Sequence, residues 1–150
     1  MPDQPIFELA IERHFNAPPV RVWERMTGKL AEWWSPRPWT TEVTALEWRA
    51  GGPFNMIVRG PGGEQIETIG VLLEVIEGRQ ITFTDAFASG WFPRPAFMVG
   101  QMTIEPDRDG TRYRALARHW DRAALDEHRQ NGFEVGWGAA ADQLEQLVEA

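Results

Sequence analysis

The sequence predicts an α+β domain: a curved antiparallel sheet of six to seven strands gripping a long C-terminal helix, with two short helices after the first strand. Three observations carry this expectation. A β-friendly run opens the chain and ends at Asn16-Ala17-Pro18-Pro19, where the prolines suit the first turn of a helix. The middle alternates short apolar–polar runs with tight turn signals, the pattern of strands paired in sequence. The C-terminal end carries an apolar stripe at helical spacing, and a lone amphipathic helix must bury that stripe against a sheet.

Taken in order, residues 6–15 read as the first strand. Val20, Trp23 and Met26 are read as one face of a short helix, which Thr27-Gly28 breaks. A second helical stretch, 29–34, stops at Ser35-Pro36-Arg37-Pro38. Strands are expected at 41–48, at Phe54-Asn55-Met56-Ile57-Val58, over 66–76 and over 80–85. Two more are expected at 97–105 and 111–120, hinged at Pro106-Asp107-Arg108-Asp109-Gly110. Residues 86–96 break the rhythm with three aromatics, two prolines and a glycine, and read as a binding loop or lid stiffened by Pro93 and Pro95. Asp121 is the expected N-cap of the helical end, which Asn131-Gly132 interrupts. Beyond it Phe133, Trp137, Ala140, Ala141, Leu144, Leu147 and Val148 form the stripe, with Glu134, Asp142, Gln143, Gln146 and Glu149 opposite.

The chain of 150 residues is expected to be one domain, without repeat or linker. Its net charge of −7 argues against a nucleic-acid partner or an anionic membrane surface. The N-terminal run shows no basic leader with an apolar core, so a cytoplasmic protein is expected. There is no cysteine, hence no disulfide, thiol nucleophile or thiolate site. His14, His119 and His128 show no metal-ligand spacing, and neither metal nor cofactor is expected. Ser35 and Ser89 lack a nucleophile setting. Gly60-Pro61-Gly62-Gly63 reads as a hairpin turn and not as a phosphate cradle. Glu74 is expected to face solvent and pair with an arginine across the strands. Asp85 and His119 remain as weak acid–base candidates beside the expected cavity.

Eight tryptophans and eight phenylalanines exceed what a core of this size usually needs. An aromatic-walled cavity under the C-terminal helix accounts for them. Its expected lining comprises Trp23, Trp34, Phe54, Met56 and Phe83, with Trp91, Tyr113, His119, Phe133 and Trp137. Arg94, Asp85, His119 and Asn55 are the candidate polar contacts. Trp33, Trp34, Trp39 and Trp91 either ring its mouth or form a patch for a protein partner. Trp48 and Trp120 are expected only to close the core.

Several motifs then carry a family likeness. They are A-P-P-V-R-V-W at Ala17–Trp23, W-W-S-P at Trp33–Pro36, R-A-G-G-P-F at Arg49–Phe54 and G-V-L-L-E-V at Gly70–Val75. R-Q-I-T-F-T at Arg79–Thr84, D-G-T-R-Y at Asp109–Tyr113 and H-R-Q-N-G-F-E-V-G-W at His128–Trp137 complete the ordered set. The chain resembles the activator-of-Hsp90-ATPase-like branch of the START-like, helix-grip superfamily. That resemblance implies a binder of a small hydrophobic molecule, lipid-like or aromatic, ahead of a co-chaperone-like module with a protein partner. A cyclase- or hydrolase-like enzyme ranks third. Either a monomer or a homodimer is compatible with the surface aromatics.

Overall fold

The computed structural model describes residues 6–150. The opening run forms β1 (Glu8–Phe15), and the proline pair starts α1 (Pro19–Gly28), with Pro18 at its N-cap. A one-turn helix, α2 (Leu30–Trp33), follows directly. The middle contains β2 (Thr40–Leu46), β3 (Phe54–Arg59), β4 (Gln65–Thr68), β5 (Val71–Ile76) and β6 (Gln80–Thr84). A minimal hairpin, β7 (Phe87–Ala88) and β8 (Phe92–Pro93), leads to the long strands β9 (Met98–Asp107) and β10 (Gly110–His119). Two helices follow, α3 (Arg122–Gln130) and α4 (Phe133–Glu149). Asp121 caps α3: its Oδ1 accepts from the Ala124 N–H at 2.8 Å.

The strands pair antiparallel but divide between sheets. One runs β1-β10-β9-β6-β5, a second β2-β3-β4, and the hairpin stands apart. The expected strand over 66–76 is therefore two strands. It breaks at Ile69-Gly70, where the chain passes from the small sheet to the large one. Gly70 permits the crossing by close approach, because a Cβ there would lie 2.6 Å from the Thr84 carbonyl oxygen. Its N–H donates to Asn55 Oδ1, and its carbonyl accepts from the Phe54 N–H. Nearby, the Gly51 N–H donates to the Leu72 carbonyl and the Leu72 N–H donates to that of Gly52. A seam of backbone bonds thus joins the two sheets.

α4 lies across the inner face of the large sheet. Its Phe133, Ala141, Leu144 and Val148 are buried, as the stripe requires. Beneath them sit Phe15, Met26, Trp33, Leu72, Ile81 and Met102. The small side chains Ala140 and Ala141 let the helix approach closely.

Four expectations are corrected. Val20 is exposed, while Val22 and Met26 are the buried positions of α1. Each step of three residues falls about 60° short of a full turn, so two steps put Val20 and Met26 about 120° apart, on different sides of the helix. Glu74 accepts from Gln80 Nε2 and Thr82 Oγ1, and not from an arginine. Gln143 is buried, not on the solvated face. Trp33 is a core residue at 1% exposure, with its indole N–H donating to the Met26 carbonyl.

Candidate functional site

Between α4 and the two sheets lies a pocket of about 310 Å³. Each wall follows from a local sequence choice. Phe83, on β6, projects inward beside its pairing partner Gly100 on β9. A Cβ at Gly100 would lie 2.2 Å from the Phe83 ring, so glycine there is what lets the ring lie flat over the strand. Phe54 on β3 meets Phe83 at 5.1 Å between ring centres, and Trp34, just after α2, packs edge-on against both. Met98 and Met102 flank Gly100 on the same inward row of β9, and Gly136, Trp137 and Ala140 of α4 close the opposite side.

The polar inventory is short. Thr84 Oγ1 donates to the Met98 carbonyl, and Thr68 Oγ1 donates to that of Met56. Both threonines are thus occupied by backbone. Asp85 Oδ1 accepts from the Phe97 and Met98 N–H groups at 2.9 and 3.3 Å, which ties the two ends of the 86–96 loop together. Tyr113 is 2% exposed and stacks on Phe15 at 5.3 Å. Burial pushes its phenol well above the ordinary tyrosine range, so the group stays protonated. Among the described residues its hydroxyl has no hydrogen-bond partner, and it is not sealed off; Tyr113 is part of the pocket lining.

The structure brings six of the sequence-derived lining residues together around this space: Trp34, Phe54, Met56, Phe83, Tyr113 and Trp137. It places four elsewhere. Trp23 packs half-buried against the core, outside the pocket. Trp91 is exposed at the tip of the hairpin, and residues 86–96 contribute no wall. Phe133 stacks on Trp137 but faces a second apolar cluster with Leu9, Ala117 and Leu125. His119 belongs to that cluster's side as well, so it does not face Asp85 across the pocket. Asn55 and Arg94 are also absent from the lining. Trp33, expected at the mouth or in a patch, is part of the lining, and Thr68, Thr84, Met98, Met102 and Gly136 line it without having been expected there. The every-other-residue row Met98-Gly100-Met102 was the available signal for two of them.

His119 is instead half of an imidazole pair. Its Nδ1 donates to the Phe7 carbonyl at 3.1 Å, since a carbonyl can only accept. Its Nε2 must then accept, from His128 Nδ1–H at 2.8 Å. Phe97, Phe133 and Trp137 surround the pair. Burial, and secondarily His119, lower the His128 pKa from 6.5 to about 4. Unfolded, His128 takes up its proton as pH falls through about 6.5; folded, it resists until about 4. The stabilisation is therefore complete above about pH 6.5 and is lost as pH falls towards 4. A sealed site would make this about 3 kcal/mol; solvent access to the half-buried ring reduces it to about 1–2 kcal/mol. Urea midpoints of wild type and His128→Leu, measured between those pH values, should show a shallower slope in the variant.

Among the described residues no group of three or more His, Asp or Glu side chains is placed to hold a metal ion. Ser35 bonds Thr41, and Ser89 Oγ donates to the Gly51 carbonyl, so neither is set against a base. Among the described residues no helix is long and apolar enough to cross a membrane.

A family model for activator of Hsp90 ATPase homologue 1-like proteins matches residues 16–149. The chain belongs to this family. Solved structures of similar chains agree with the helix-grip architecture of the Hsp90-activator-like family. A Nitrosomonas europaea protein is 30% identical, over 95% of this chain and 94% of its own, with a TM-score of 0.89. A Mycobacterium smegmatis protein is 23% identical, over 97% and 96%, with a TM-score of 0.79. One from Arthrobacter aurescens is 21% identical, over 98% and 90%, with a TM-score of 0.81. No curated protein matches the chain.

Proposed function

We propose that this member of the Hsp90-activator-like family binds a small hydrophobic molecule between α4 and the sheets. The observation that carries the reading is the composition of the pocket wall. Aromatic and methionine side chains dominate it, the threonines are occupied by backbone, and among the described residues the uncommitted side-chain polar groups are few: the Asp85 carboxylate, the Tyr113 hydroxyl and the Trp34 and Trp137 indole N–H groups. Small-molecule sites have this character: concave, mostly apolar, with few placed polar groups, and a volume from about 300 Å³ upward. Trp34 and Trp137 in the wall supply an intrinsic reporter.

Saturable quenching of tryptophan emission by apolar ligands is the expected result. Ala140→Leu adds bulk to the pocket wall and should weaken binding by about tenfold or more, on the order of 1.4 kcal/mol. Unchanged emission and melting temperature across a broad panel of apolar compounds would sink the proposal.

A second reading, a protein-interaction module of the co-chaperone kind, is favoured by the hairpin. Trp91 and Phe92 are 54% and 68% exposed at its tip, and Trp91 holds a left-handed φ of 66°, strained for so bulky a residue. The same titration separates the two readings. Trp91→Ala with Phe92→Ala lies outside the pocket and should leave small-molecule affinity intact while removing any contact made by the hairpin.

A further inference from the structure

We infer that the pocket selects an elongated apolar amine over an acid of the same length, with the ammonium seated at Asp85; this rests on the ligand-binding reading above. Among the described residues Asp85 is the sole charged side chain in the lining. Both of its hydrogen bonds from the protein go to Oδ1, from the Phe97 and Met98 amides. These fix the carboxylate and leave Oδ2 as an oriented acceptor. Among the described residues no lysine, arginine or histidine lines the space. Arg13, which pairs across β1–β10 with Tyr113, is committed to Asp142 Oδ1 at 3.1 Å and to the Glu12 carbonyl. A bound carboxylate would lose its hydration with no counter-charge in reach and would face a like charge at Asp85. An ammonium gains a charge-assisted hydrogen bond there. The faces of Trp34, Phe54, Phe83 and Trp137 favour a cation further, and the net charge of −7 draws cations towards the molecule.

The Tyr113 hydroxyl sets the length. Tyr113 pairs with Ile104, whereas Thr84, the residue before Asp85, pairs with Val99 and through it with Arg118. Tyr113 and Arg118 are five positions apart on β10, which is roughly 17 Å along the strand. Tyr113, held protonated by burial, and Asp85 both line the space, and that offset separates their places along the sheet. An occupant spanning both would carry an amine at one end and a hydroxyl or carbonyl at the other.

The test is a matched set of probes, n-decylamine, n-decanol, n-decanoate and aminodecanol, kept below their micellar concentrations and followed by tryptophan quenching and calorimetry at neutral pH. Decylamine should bind wild type at least about tenfold more tightly than decanoate. Asp85→Asn keeps an acceptor for the two amides and removes the charge. It should erase that gap while leaving decanol within about twofold. Tyr113→Phe should weaken aminodecanol and leave decylamine unchanged. The wild-type amine-to-acid ratio is readable even if a variant folds poorly. Equal affinity of wild type for decylamine and decanoate overturns the inference while leaving a ligand-binding pocket in place. A gap that survives Asp85→Asn also overturns it, because the selectivity then comes from overall charge. If no probe binds, the binding reading itself falls, and this inference with it.

Discussion

Trp33→Ala should destabilise the fold by about 3–5 kcal/mol, the range for removing a fully buried large aromatic. Trp33 is 1% exposed and sits edge-on to Trp34 and to Tyr113, at 5.5 and 6.5 Å between ring centres. Alanine leaves a void of about the indole's size beside the existing pocket, and a void that can take up water relaxes differently from a sealed one. The Met26 carbonyl also loses its indole N–H partner. Trp33→Phe separates the contributions. It keeps most of the apolar contact and loses the hydrogen bond, so a cost of about 1–2 kcal/mol is expected. Urea unfolding of the two variants measures both, with an unchanged m-value marking a loss of stability alone. A cost below about 1 kcal/mol for the alanine variant would mean that Trp33 is not the core residue described.

Gln143→Leu is the second large effect, about 2–4 kcal/mol, and its origin is different. The volumes are similar, so packing changes little. Gln143 Nε2 donates to the Trp33 and Ser35 carbonyls at 3.1 and 2.9 Å, and Oε1 accepts from the Arg37 N–H at 2.8 Å. One buried side chain of α4 thereby satisfies three backbone groups of the turn after α2. Leucine leaves them without partners in a site water reaches poorly, and each such loss costs about 1–3 kcal/mol when solvent cannot compensate. Gln146→Leu, on the exposed face of the same helix, is the control and should stay within about 0.5 kcal/mol of wild type. Equal effects from the two substitutions would contradict the buried bridge.

The contrast between these glutamines shows what was readable beforehand. The apolar stripe of α4 was legible because helical spacing is a local signal and burial of apolar surface follows from it. Gln143 was not, because its burial depends on where the Ser35–Pro38 turn docks, a matter of tertiary position. Trp33 and Trp34 make the same point. Successive residues of one helical turn diverge by about 100°, so one indole enters the core while the next walls the pocket. Their sequence context is nearly identical. The alternation of Phe54 with Met56 and of Ile81 with Phe83 correctly marked inward faces. Nothing local marked the break at Gly70, where apolar residues continue on both sides and the close approach to Thr84 comes from a distant strand. The loop at 86–96 was recognisably irregular, but its tip folds towards Gly51, as the Ser89 bond to that residue's carbonyl records, and so leaves the pocket open.

The seam between the sheets has a further consequence. Phe54, Met56 and Thr68 belong to one sheet, whereas Phe83, Met98 and Met102 belong to the other. Capacity is therefore a property of an angle as much as of side-chain size. The crossing at Gly70, itself part of the lining, works like the spine of a book: bulk added there meets the Thr84 carbonyl and tilts a cover. Two chains with identical side chains on the covers and different spines would hold ligands of different thickness. Specificity then drifts through the hinge as well as through the side chains that face the occupant.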